Sequence, residues 1–110
     1  GDFLKTVGID ESIKYAIGGL DYTEEFYNVH VTCTKKTINP AKMEAELVDT
    51  AKKLISEYPD IKCFVFECSD IPPYAHAVTR ETGIPVFDFI GLAHMVARAI
   101  NPVIYPEFMG

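Results

Sequence analysis

Ile61-Lys62-Cys63-Phe64-Val65-Phe66 is a nearly continuous apolar run of strand length, and Cys68-Ser69-Asp70-Ile71-Pro72-Pro73 follows it after a single residue, Glu67. Such runs belong to strands covered on both faces, which means a parallel sheet lying between helical layers. The flanking residues agree. Asn39 is a good N-cap, and Pro40 suits the first helical position, where its missing N–H costs nothing. Met43, Leu47, Ala51, Leu54, Ile55 and Tyr58 then form one apolar stripe at helical spacing, which Pro59 stops. Beyond the run, a helix over roughly Pro73–Glu81 ends at Thr82-Gly83 by the usual glycine cap. Pro85-Val86-Phe87-Asp88-Phe89 is a second short buried strand. Leu92, Met95, Val96, Ala99 and Ile100 mark a last helix, broken by Asn101-Pro102. Helix, strand, helix, strand, helix predicts right-handed crossovers and a parallel sheet. The expected fold is one α/β domain over residues 1–110, a flavodoxin-like sandwich with helices on both faces.

Ahead of this unit the pattern is looser. Ile13, Tyr15 and Ile17 alternate within Ser12–Ile17 and predict a strand ending at Gly18-Gly19. That glycine pair stands alone and is no phosphate loop. Thr23 is placed to cap a short helix over Glu24–Val29, with two acids in its first turn. Val29–Thr34 is β-branched and alternating, which fits a short strand or an extended loop equally.

Bulk properties narrow the function classes. The 110 residues are 48% hydrophobic and 24% charged, an ordinary balance for a folded domain that needs no disulfide or metal to hold it. A net charge of −6 repels phosphate backbones and anionic lipid, so neither nucleic acid nor a membrane surface is an expected partner. Three cysteines without a CxxC pair argue against a secreted disulfide scaffold and for a reducing, cytoplasmic setting. No run approaches a membrane span, and Gly1–Asp10 has no apolar signal core. The chain opens on Gly1-Asp2-Phe3-Leu4 rather than on Met, which reads as a fragment or a processed form.

Cys68 draws the chemistry. Ligands of open α/β sheets bind outside the carboxyl ends of the strands, which is where Cys68 falls. Ser69 or Asp70 is available to cap the following helix, whose free N–H groups suit a carboxylate and whose dipole favours a thiolate. Asp70 opposes ionisation if it lies beside the sulfur. The plainer alternative is a buried small hydrophobe, as most free cysteines are. Cys63 lies within the apolar run and reads as core, and Cys33 as incidental. Tyr74 and His76 suit a pocket wall or a helix surface, and Asp88 a cleft or a helix cap. His30, His76 and His94 lack metal-ligand spacing with the cysteines, so no metal is expected.

The segment from Phe66 through Cys68-Ser69-Asp70-Ile71-Pro72-Pro73-Tyr74-Ala75 to Thr82–Asp88 resembles the C-terminal half of the aspartate/glutamate racemase family. Val7-Gly8-Ile9, Gly19-Leu20 and Asn39–Pro59 match one branch of it in order and spacing. The resemblance implies two α/β halves, each presenting one cysteine to a cleft, and proton transfer at an amino acid's α-carbon without a cofactor. It makes Cys68 the second-half thiol and Ser69 a carboxylate holder, with Asp70 and Tyr74 beside the substrate. Glu67 and Asp70 depart from the pattern and speak against a dicarboxylic amino acid. No residue here supplies the first-half cysteine, so this chain reads as the second half of a longer protein, without racemase turnover by itself.

Three functions follow as expectations. The first is a racemase or epimerase acting on an amino acid or a related carboxylate. The second is a single-cysteine decarboxylase or maleate-isomerase-like enzyme of the same fold, and the third a non-catalytic binding domain. A missing half also predicts an exposed apolar face and self-association through it.

Overall fold

A computed structural model of the chain describes residues 2–106. Helix α1 spans Asp2–Thr6, α2 spans Glu24–Phe26 and runs into a π-helical turn at Tyr27–Val31, and α3 spans Pro40–Glu57. Strand β1 (Phe64–Val65) follows, then a 3-10 turn at Pro72–Tyr74 leading into α4 (Ala75–Thr82), β2 (Val86–Phe87) and α5 (Phe89–Ile100).

Local sequence signals set the helix ends from Asn39 onward. Asn39 accepts a hydrogen bond from the Lys42 N–H at 3.2 Å, and Pro40 occupies the first turn of α3. Gly83 ends α4 in the left-handed region at φ 71°, where a side chain would be strained. Asp88 caps α5 by accepting from Gly91 N–H at 2.8 Å, which settles its role as a helix cap.

The strands pair in parallel, Phe64 opposite Val86 and Val65 opposite Phe87. Phe64 N–H donates to Pro85 O and Phe66 N–H to Phe87 O. One face of this small sheet is covered. Leu47, Val48 and Ala51 of α3, Ala77 and Val78 of α4, and Leu20, Phe66 and Ile71 make a single core cluster, with Phe64 and Val86 packed against it.

The other face is open, and here expectation and structure part. Val65 is 74% exposed and Phe87 60%, and no residue of α5 is buried. An α/β arrangement with a parallel pair therefore stands, whereas among the described residues helices cover one face only: α3 and α4 share that side, and Val65 and Phe87 on the other are exposed. From Cys63 to Cys68 burial alternates. Phe64 and Phe66 turn inward, and Cys63 is exposed rather than part of the core. The accessible area of 8433 Å² exceeds the about 6,100 Å² of a compact monomer of this length. The radius of gyration, 17.1 Å, likewise exceeds the ~13 Å expected.

Two further strand expectations give way. Ser12–Ile17 has no strand partner among the described residues and leaves Ile13, Tyr15 and Ile17 exposed, since a strand requires a neighbour to take its backbone hydrogen bonds. The segment instead passes α3 so closely at Gly18 that a Cβ there would collide with Leu54. Val29–Thr34 is wound into the π-helical turn through Val31 and then a bend, with Cys33 at φ 54°.

The cause lies in carboxylates from distant positions. Thr23 stands at the start of α2, yet its hydroxyl donates to Leu20 O, so it leaves the first N–H groups uncapped. Glu46 of α3 takes them: its two oxygens accept from Glu25 N–H at 2.6 Å and Phe26 N–H at 3.1 Å. Glu25, 2% exposed, accepts two bonds from Lys35 Nζ and one from Asn39 N–H. The Lys35 ammonium, and secondarily the Asn39 N–H, hold its carboxyl below the usual glutamate value of 4.5. A helical start is thus stabilised from outside, and the winding continues through residues that favour a strand when isolated.

Candidate functional site around Cys68

β1 positions Cys68 by simple alternation. Phe64, Phe66 and Cys68 point toward the core, and Glu67 points to solvent. Cys68 is half-buried and packs against the core cluster. Ser69 and Asp70 form an exposed turn, and Ile71 and Pro72, both buried, anchor the chain again.

Neither Ser69 nor Asp70 caps the following helix, as the sequence suggested. The 3-10 turn at Pro72–Tyr74 intervenes, Ile71 and Tyr74 take the two cap positions, and neither supplies a side-chain bond. The two prolines favour that tighter entry because they fix φ and donate no N–H. Asp70 turns elsewhere, toward His30, whose Nδ1 lies 3.4 Å from its Oδ2. Tyr74 is half-buried against the core cluster. His76 lies on the outer surface, its Nδ1 3.1 Å from Pro73 O and its Nε2 3.8 Å from Glu44.

The structure thus groups Cys68, Ser69 and Asp70 in one loop with Tyr74 on the adjoining turn, and adds His30 from the π-helical turn. Sequence spacing gave no sign of His30, which is 40 residues from Asp70 and reaches it only because of the unforeseen winding. Its ring packs at a 42° tilt on Phe26, centroids 4.7 Å apart, and its buried Nε2 has no hydrogen-bond partner among the described residues. Among the described residues no three His, Cys, Asp or Glu side chains are placed to hold a metal ion.

A surface cavity of about 330 Å³ lies away from this loop, between α3 and the Tyr22–Glu24 segment. Several of its polar groups are already engaged: Glu46 caps α2, Thr50 shares a 3.1 Å hydrogen bond with Tyr22, and Lys53 lies 5.3 Å from the centre of the Tyr22 ring. Among the described residues no helix is long and apolar enough to cross a membrane.

Comparison with known proteins corrects the family expectation. The chain is 32% identical over 101 residues to a dimethylsulfoniopropionate lyase of Durusdinium sp. clade D, a match covering 89% of the chain and 33% of that protein. It is 42% identical over 62 residues to dimethylsulfoniopropionate lyase 7 of Emiliania huxleyi, covering 51% of the chain and 18% of the relative. Lyase 5 of the same alga is 31% identical over 75 residues, covering 66% of the chain and 15% of the relative. The chain therefore spans about a third or less of the curated relatives it matches. No family model and no solved structure matches. These relatives are named lyases, so the racemase reading is overturned, and the decarboxylase, maleate-isomerase and binding-domain alternatives gain no support. The short motif around Cys68 misled because local likeness around one cysteine does not fix a reaction.

Proposed function

We propose that the chain serves the lysis of dimethylsulfoniopropionate or a closely related sulfonium carboxylate, with Cys68 at the reacting centre. The observation that carries this reading is the match to the Durusdinium lyase. A match over 89% of 110 residues takes in the middle of the chain, Cys68 included. The chemistry of the loop is consistent with it. Glu67 and Asp70, which speak against a dicarboxylic amino acid, suit a substrate with a positively charged sulfonium group. Ser69, exposed in the turn, offers a hydroxyl to the substrate's carboxylate, and Tyr74 contributes an aromatic surface beside it.

Lysis of such a substrate is an elimination. A base removes a proton from the carbon next to the carboxylate, and the freed electron pair forms the carbon–carbon double bond. The carbon–sulfur bond then breaks, its pair leaving with sulfur as neutral dimethyl sulfide and its product being acrylate. Cys68 as a thiolate is the base in this scheme and ends the step as a thiol.

Alkylation of the three cysteines by iodoacetamide, read peptide by peptide, tests the assignment. Millimolar dimethylsulfoniopropionate should slow modification of Cys68 and leave the exposed Cys33 and Cys63 unchanged. Equal rates at Cys68 with and without the sulfonium compound would overturn the reading.

A further inference from the structure

His30 is a partly satisfied polar group in an apolar setting. Its side chain is 20% exposed, its Nδ1 faces Asp70 and its Nε2 has no partner among the described residues. Phe26, which its ring contacts, and Cys68 pack against the same core cluster. Asp70 follows Cys68 by two residues. The His30–Asp70 pair thus ties the π-helical turn to the thiol's loop.

Packing alone would be met better by phenylalanine, which has no polar atom to bury. What an imidazole adds is an ion-pair partner for Asp70, 3.4 Å from its carboxylate, whose charge depends on protonation. Nearby negative charge disfavours a thiolate, and Asp70 shares the exposed turn that begins just after Cys68. The remaining titratable groups on the elements around the turn are otherwise placed. Glu25 and Lys35 hold one another, Glu24 and Tyr27 are exposed, and Glu67 points to solvent.

We propose that His30 is a positioning residue for Cys68: through Asp70 it holds the thiol's loop and, when protonated, offsets the Asp70 charge that would suppress the thiolate. This rests on Cys68 as the reactive thiol of the proposed function, but its test needs no substrate, so failure of the lyase reading leaves it standing.

The experiment is iodoacetamide alkylation of Cys68 across neutral pH in the 110-residue chain, comparing native protein with His30→Phe, Asp70→Asn and the double variant, with circular dichroism to confirm folding. His30→Phe should slow Cys68 alkylation roughly three- to tenfold at the acidic end of the range, with a smaller difference at the alkaline end, since an imidazole offsets a carboxylate only when protonated. Adding Asp70→Asn should restore the rate, and Cys33 and Cys63 should not respond. Identical pH profiles for native and His30→Phe would overturn the proposal, as would a uniform slowing that Asp70→Asn fails to relieve. Should His30→Phe fail to fold, Asp70→Asn alone decides. Its half-exposed side chain is removable, and Cys68 must then alkylate with a changed pH profile; an unchanged profile refutes the role.

Discussion

Helices α3 and α5 begin alike and end in different circumstances. Each opens on a side chain that caps its first turn, Asn39 in one and Asp88 in the other, and each carries an apolar stripe. Yet α3 buries Met43, Leu47, Val48, Thr50 and Ala51, whereas α5 leaves Leu92, Met95 and Val96 in solvent and Ile100 80% exposed. Capping and periodicity are local and form both helices. Burial depends on what lies opposite, and α3 has α4, Leu20 and the inner face of the sheet. The helix with the more apolar sequence is thus the less covered, so the two halves should differ sharply in how mutation affects stability.

The largest contrast is in the cores. Met43→Ala should destabilise by about 2–5 kcal/mol, the usual result of emptying a buried methionine site, measured by urea unfolding. Acid is the next lever. Glu25 has a depressed folded pKa, so its contribution is complete above the ordinary value of 4.5 and is lost as pH falls through the lower folded value. Glu25→Gln should therefore melt lower than native at pH 7 and lose part of the native decline in melting temperature below pH 4.5. Asn39→Ala should cost about 1 kcal/mol of global stability, while Asp88→Ala should mainly release α5 amides to faster hydrogen exchange. Smallest of all, Met95→Ala should change stability by less than about 0.5 kcal/mol. If Met95→Ala instead cost as much as Met43→Ala, the α5 face would be covered in solution and the contrast between the helices would fail.

The same division explains what could be read in the sequence. Asn39-Pro40, Thr82-Gly83 and the Asp88 cap act within a few residues, and the structure has them where pattern places them. The parallel pairing of the two short strands follows from their helical crossover. The π-helical turn does not follow, because it depends on Glu46 and Glu25, carboxylates whose partners lie about 10 to 21 residues away. The apolar run at Ile61–Phe66 implied two covered faces, but its composition cannot say whether a second layer is present. Cys68 was expected at a strand end, whereas β1 stops at Val65 and Cys68 lies in the bend beyond it. His30 was not legible, since its pairing with Asp70 arises from tertiary contact alone, and the reaction was misassigned from a motif shared in kind rather than in chemistry.

The central claim concerns Cys68 and a sulfonium carboxylate, and headspace dimethyl sulfide measures it most directly. The 110-residue chain incubated with dimethylsulfoniopropionate should release dimethyl sulfide above a protein-free blank. Cys68→Ser should reduce that release at least about a hundredfold, as loss of a proton-transfer group does, while Cys33→Ser and Cys63→Ser should retain it. Release undiminished in Cys68→Ser, or none from the native chain, would contradict the account.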